Sequence, residues 1–231
     1  MTRFSVWMVL SLALSQVLWA AGKPAPVVLV QEGKARCAIY LPPQYLAPDD
    51  TDVLSQGFGQ AYIAELARIR VREAVSDLSR CIKVMSGAAV PVYYRKPIAK
   101  DTGVAILVSD YAKEAFGPPK KASVYQQGWR LVVTPAKVGF IGETDESITY
   151  GIYEVLDRLG CRWYMPSDMG EVIPTLRTIA LPVEDTSAVP RVISRKIWCP
   201  DRAFSRRNRL GGMQLEASHA LEIYLTKEQL N

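Results

Sequence analysis

Two pairs of carboxylates, Asp145–Glu146 and Glu154–Asp157, are the residue types from which acid–base chemistry is built. Such chemistry needs two groups that face one another across a substrate with their proton affinities pushed apart. Neither pair has that spacing. Asp145 and Glu146 follow Thr144, a good N-cap, and place negative charge in a first helical turn, where the macrodipole favours it. Glu154 and Asp157 fall off the apolar stripe of the same helix, on its solvated face. His219, the one histidine, has no serine or cysteine partner in a G-x-S-x-G or H-E-x-x-H pattern. The four cysteines, Cys37, Cys81, Cys161 and Cys199, are widely spaced without a C-x-x-C pair, so a metal centre is not expected. They allow three disulfide pairings that sequence does not choose among, and at least two read as buried thiols. No catalytic residue, metal ligand or cofactor is assigned.

These residues must be positioned by a limited set of elements. Ile148, Ile152, Val155, Leu156 and Leu159 make one apolar stripe of a helix that starts at Thr144 and ends where Gly160 takes up φ > 0. The stretch Arg162 to Met165 then reads as a short aromatic strand closed by Pro166. Upstream, the spacing predicts short strands at Val27–Gln31 and Ala35–Tyr40, and an exposed loop from Leu41 to Gly59. A long helix from Gln60 to Met85 carries Ile63, Ala67, Val71, Ala74, Val75, Leu78 and Ile82 on one face and stops at Gly87. Strands follow at Val90–Tyr94 and Val104–Val108, the second apolar throughout and therefore central in a sheet. A short helix covers Tyr111–Phe116. Trp129–Val133 and Val138–Ile141 pair as a hairpin, and a last strand lies near Thr178–Leu181. This order implies an α+β two-layer sandwich: a mixed sheet of five to seven strands with two main helices on one face. Pro182 to Pro190 reads as a boundary, with 183–190 a linker.

The first residues look like a leader. Arg3 precedes the apolar run Phe4 to Trp19, and Ala20, Ala21 and Gly22 offer a cleavage site, so residues 1–22 read as a secretory signal peptide. The run is short for a bilayer span of ~20 residues. An exported protein, periplasmic or extracellular, is expected, with no membrane association after cleavage. Loss of Arg3 with that leader lowers the net charge of +5 by one, to +4, too little to call for a nucleic-acid partner. The basic cluster Arg191, Arg195, Lys196, Arg202, Arg206, Arg207 and Arg209 has Trp198 and Phe204 interleaved but no known nucleic-acid module around it.

The stretch "VVTPAKVGFIGETDESITYGIYEVLDRLGCRWYMP" resembles the N-terminal α+β domain of large exported bacterial glycoside hydrolases: the α-glucuronidase N-terminal domain and the related second domain of family 20 β-hexosaminidases. Tyr150, Gly151, Tyr153, Leu156, Leu159, Gly160, Arg162, Trp163 and Pro166 carry the match. Gly87, Pro91 and Val92 match the end of the long helix and the strand after it. "RRNRL" resembles the entry to the family's (β/α)₈ catalytic barrel.

The resemblance spans roughly Val27 to His219 and implies a 27–182 domain followed, over 191–231, by the beginning of a truncated barrel. A whole barrel takes ~250 residues. The resemblance also implies roles. Arg195, on a first barrel strand, and His219 would touch sugar only in a complete barrel. Gly151, Gly160, Arg162, Trp163 and Pro166 would be structural, with Gly151 relieving helix–sheet packing and Arg162, Trp163 and Tyr164 forming a seam toward the barrel. The absent barrel domain and a polysaccharide or oligosaccharide are the expected partners. A lone first strand has unpaired edges, so the segment from Arg191 onward should be loosely held. The reading is a non-catalytic domain of a glycoside hydrolase acting in polysaccharide degradation. A free-standing carbohydrate- or protein-binding module without activity is its rival, and an inactive product of a truncated reading frame a third.

Overall fold

The computed structural model describes residues 24–197 and 201–212. In chain order the elements are β1 (Val27–Gln31), β2 (Lys34–Ala35), β3 (Cys37–Tyr40), α1 (Thr51–Gln56), α2 (Gln60–Ser86), β4 (Val92–Tyr93), β5 (Val104–Val108), α3 (Asp110–Phe116), β6 (Trp129–Val133), β7 (Lys137–Gly142), α4 (Asp145–Arg158), β8 (Arg162–Trp163), β9 (Glu171–Val172), β10 (Ile179–Leu181), β11 (Glu184–Ala188) and α5 (Arg202–Arg207). Single 3₁₀ turns lie at Pro43–Leu46 and Asp168–Gly170.

Six strands form one mixed sheet in the order β11-β6-β7-β5-β3-β4. The apolar β5 sits inside it, parallel to both β3 and β7, as a strand buried on two faces should. The β6–β7 hairpin is antiparallel, Trp129 opposite Gly142 and Val133 opposite Val138. Helices α2 and α4 lie together on one face. Val71, Ala74, Val75, Leu78, Cys81, Ile82 and Met85 of α2 are buried at helical spacing, and Ile148, Ile152, Val155 and Leu156 of α4 join the same core.

Several expectations are corrected. The opposite face is not bare: α3 packs Ala112 and Phe116 over Ala38, Tyr40, Leu107, Val132 and Ile141, a second, smaller core. β1 and β10 do not join the main sheet but pair with each other, and β1 with β2, in a separate three-stranded sheet. The loop over Leu41–Gly59 contains the 3₁₀ turn and α1, and its Tyr45 is fully buried. Residues 184–188, expected in a linker, are β11, an antiparallel edge strand on β6 with all five residues paired. Its polar sequence is fixed from outside the ladder, because Arg130 on β6 donates from Nε and Nη2 to the two oxygens of Asp185 at 2.8 and 2.9 Å.

The segment expected to begin a barrel shows no barrel strand among the described residues. A first barrel strand needs parallel neighbours. Ser194 instead makes a single antiparallel bridge to Gly212, so residues 191–197 and 201–212 form an arm against the α2–α4 face. No helix among the described residues is long and apolar enough to cross a membrane.

Candidate functional site

The turn that ends α4 shows how local sequence places the site. Thr144 caps the helix by accepting from the Ser147 backbone, and the Ser147 side chain accepts from the Thr144 backbone in return. At the other end Gly160 (φ 95°) donates to the Asp157 carbonyl at 3.0 Å and Cys161 to the Leu156 carbonyl at 2.9 Å, the Schellman pair of bonds. The reversal sends Trp163 under α4. There its ring meets Tyr153 edge-on at 5.8 Å, and its Nε1 donates to Glu171 Oε2 at 2.7 Å across the β8–β9 hairpin. Trp163 is therefore a buried body with a bonded polar tip. Arg162 braces the turn by donating to the Asp157 and Cys161 carbonyls, Pro166 sits exposed in the bend after β8, and Tyr164 is exposed. Gly151 lies where a Cβ would touch Trp129 and Phe140 at 3.4 and 3.5 Å, close to the sheet but with room for a methyl.

Beneath this turn is a charged hub that the sequence reading missed. Asp77 of α2, its side chain 6 % exposed, accepts from the Tyr153 hydroxyl at 2.7 Å and from Arg207 Nε and Nη2 at 3.0 and 2.9 Å; Arg206 Nη2 adds a contact at 3.3 Å. Arg206, itself buried, also donates from Nε to the Tyr153 hydroxyl at 2.8 Å and pairs with Glu73. Burial alone would raise the Asp77 carboxyl. The bonds from Arg207 and Tyr153, with the charges of Arg207 and Arg206, outweigh it and hold the group below its ordinary value. Burial pushes the Tyr153 phenol well up, and the charge of Asp77 adds to that. Beside the hub Arg80 grips Glu171 with two donors at 2.8 and 2.6 Å, and this bidentate bond chiefly lowers the Glu171 carboxyl. The two hub arginines come from α5, whose N-cap Asp201 accepts from Phe204 N at 2.8 Å; Asn208 then donates to the Trp163 carbonyl at 3.1 Å. Asp77 could have been found as an acid three residues after Ala74 and four before Cys81, on the edge of a buried stripe.

At the other end of α4 the arm closes a cleft of about 730 Å³. The first turns of α2, expected to carry the apolar stripe into the core, line this space instead, with Ile63 51 % exposed. Opposite them stand Tyr125, Ile197 and Leu210. Arg70 and Glu146 pair across the cleft at 2.5 Å. Asp145 accepts from the buried Tyr45 hydroxyl at 2.7 Å, and Tyr45 also bonds Ser109 at 2.7 Å. Burial raises the Asp145 carboxyl against that bond. Tyr150, buried, reaches the cleft with a hydroxyl that has no hydrogen-bond partner among the described residues. Arg195 sits with its guanidinium 5.0 Å from the Tyr150 ring and donates to the Gln127 side chain and to the Val192 and Arg209 carbonyls. The structure thus brings Arg195 to Tyr150 and the arm. His219 and Cys199 lie outside the described residues. Among the described residues no group of three His, Cys, Asp or Glu side chains is placed to hold a metal.

No protein-family model matches the chain, and no curated protein matches it in sequence. Among solved structures the chain is similar to the GH20 β-N-acetylhexosaminidase of Streptomyces coelicolor A3(2), with TM-score 0.38 and 15% identity over 74% of this chain and 25% of that one. Two Streptomyces plicatus structures match at the same TM-score and 16% identity: a mutant β-hexosaminidase in complex with product (GlcNAc), and an N-acetyl-β-hexosaminidase in complex with thio-NAglucal. They are matched over 74% and 75% of this chain and 24% and 27% of theirs. The chain therefore spans about a quarter of the length of these proteins.

Proposed function

We propose that this chain is a non-catalytic α+β module of an exported glycoside hydrolase, α-glucuronidase-like or hexosaminidase-like, and that its task is to seat the catalytic barrel that the sequence resemblance implies. The observation that carries the reading is the Asp77 hub. It clamps α5, on the path out of the module, onto α2 and α4 through two arginines and a tyrosine hydroxyl, with every partner buried or half-buried. A chain fixed in this way would pass a defined orientation on to a barrel attached beyond α5. The carboxylates around the seam are spent in the same work: Glu171 on Arg80, Glu154 on Arg158 and Arg209. Retaining and inverting glycoside hydrolysis takes two carboxyls facing each other across a sugar, about 5 to 9.5 Å apart, and the substrate-assisted route still needs a protein acid. The two acids that line the cleft, Asp145 and Glu146, are engaged with Tyr45 and Arg70. Export, with the mature end between Ala21 and Lys23, belongs to the same proposal and is read by mass spectrometry of the secreted chain.

The expected outcome for the purified chain is no turnover of aryl glucuronides or aryl N-acetylhexosaminides. Turnover that disappears on replacing one of its own carboxylates overturns the reading. The rival, a free-standing binding module, is favoured by one observation, the unpartnered Tyr150 hydroxyl at the cleft. Calorimetric titration with glucuronic acid and N-acetylglucosamine oligomers tests it. Binding that Tyr150→Phe abolishes selects the rival, and no heat selects the seating module.

A further inference from the structure

Tyr150 lies one turn beyond Glu146 on α4 and is 2 % exposed, yet its hydroxyl has no hydrogen-bond partner among the described residues. Beside it the arm leaves a second buried polar atom unmatched. The Arg195 guanidinium stands 5.0 Å from the Tyr150 ring and donates from Nε and Nη1 to protein oxygens, but its Nη2 is buried with no acceptor among the described residues. Buried polar atoms are nearly always bonded, and one left unmatched loses its hydration with nothing in exchange. The two atoms meet at one place, a hydroxyl that lines the cleft and a guanidinium N–H next to it. Both can donate, so what they lack in common is an acceptor. The charges around them favour a negative one. Arg70, Lys196 and Arg202 line the cleft and Arg195 flanks it, against the two carboxyls of Asp145 and Glu146. Glu146 is already paired with Arg70, and Asp145 accepts from Tyr45. The balance left over is positive and attracts an anion. The walls are apolar: Leu66 and Leu210 lie in them, and Ile63, Tyr125 and Ile197 leave about half of their surface in the open. A space of about 730 Å³ is of the size that takes a small molecule.

We propose that this cleft binds a small organic carboxylate with an aryl or alkyl body. The carboxylate accepts from the Tyr150 hydroxyl and from Arg195 Nη2, and the body lies on Ile63, Tyr125 and Ile197. The hydroxyl is covered by Gly211, where a Cβ would stand 3.1 Å from it and against the Glu146 carboxylate. That cover is bare backbone at the end of the arm, so the ligand reaches the hydroxyl by a small shift of Gly211 away from α4. A sugar acid offers the carboxylate without the apolar body, so the site is distinct from a carbohydrate groove. It is also independent of the seating of a barrel, which rests on the Asp77 hub at the other end of α4.

The test is calorimetric titration of the purified chain at neutral pH with three probes: 4-phenylbutyrate, its neutral analogue 4-phenylbutanol, and glucuronate. The expected result is saturable binding of 4-phenylbutyrate with a Kd below about 1 mM, and binding of the other two at least about tenfold weaker. Tyr150→Phe should weaken 4-phenylbutyrate about fivefold or more. The same substitution should leave the thermal midpoint of the unliganded chain unchanged or raised, because the hydroxyl it removes has no partner. Ile63→Glu, at an exposed position, brings a negative charge to the cleft and should weaken the carboxylate more than the alcohol. Absence of 4-phenylbutyrate binding, equal binding of the alcohol, or equal loss of both in Ile63→Glu overturns the proposal. So does a lower unliganded midpoint for Tyr150→Phe, which would mean that the hydroxyl is bonded in the fold. Glucuronate bound as tightly as 4-phenylbutyrate also overturns it and returns the cleft to the carbohydrate-binding rival, whereas the seating role is untouched by any of these results.

Discussion

Asp77→Ala is the most direct perturbation of the hub. The carboxylate accepts from Tyr153 and doubly from Arg207, and its removal leaves that hydroxyl and the Arg207 guanidinium, 18 % exposed, without their main acceptor. Removing one member of a buried charged set costs about 3–5 kcal/mol, chiefly through the charge left unpaired. Arg206 keeps Glu73, and Arg207 has Glu171 at 3.7 Å, so the lower end applies, about 3 kcal/mol. With a urea slope of about 2 kcal/mol/M, the midpoint should fall by about 1.5 M. Fluorescence of the buried Trp129 and Trp163 follows the transition. Part of the cost can be met by local release of α5, which brief trypsin treatment detects as new cleavage between Arg202 and Arg209. Combining Asp77→Ala with Arg206→Ala and Arg207→Ala should cost less than the sum of the single changes, since the charges removed are those left unpaired. A midpoint for Asp77→Ala within about 0.3 M of the parent, or strict additivity, would refute the hub as a clamp.

Gly160→Val should lower stability by more than about 1 kcal/mol, seen as a lower thermal midpoint, because φ is 95° there and a Cβ would lie 3.2 Å from Pro174. Gly151→Ala should leave the midpoint unchanged or raise it, since a methyl fits against Trp129 and Phe140 and alanine favours a helix interior by about 1 kcal/mol; Gly151→Leu, which overfills the same gap, should lower it. Stability should fall in acid with a defined sign. Asp77 and Glu171 have carboxyls lowered in the folded chain, so their contribution is complete above their ordinary values of 3.8 and 4.5 and is lost as pH drops below these through the folded values. Chemical denaturation between pH 7 and pH 3 should show a steep loss at the acid end, shallower in Asp77→Ala.

What was legible in the sequence was local. The Thr144 cap, the Gly160 stop and the position of β5 follow from a few neighbouring residues whose side chains leave the backbone little choice. The pairing of β1 with β10 was not legible, because short apolar runs at Val27 and Ile179 do not say which sheet they join. Nor was β11, whose sequence Glu-Asp-Thr-Ser-Ala lacks apolar alternation and is bound by Arg130 and by the Ser187 hydroxyl, which donates to the Trp129 carbonyl. Tyr45 was lost in a proline- and aspartate-rich stretch, although its hydroxyl ties that stretch to the start of α4. In the site, the arginines of the arm stood out as a basic cluster. Asp77, the acid that gathers them, was one charge among many on a long helix until its burial was known. The anchoring of residues 201–209 was hidden for the same reason, since it is made by side chains and not by strand pairing.

β11 also has a protective part. It occupies the outer edge of β6, whose Trp-Arg-Leu-Val-Val sequence is buried along its whole length. A chain cut at Pro182, the end of the domain as the sequence suggested it, would bare that edge as five free rungs of an apolar strand. Such an edge is a template for pairing with another copy of itself. The short polar strand Glu184–Ala188 is therefore the module's sealed border: it covers a ladder position that would otherwise invite aggregation, and a piece of this chain expected to stay single in solution has to extend past Ala188.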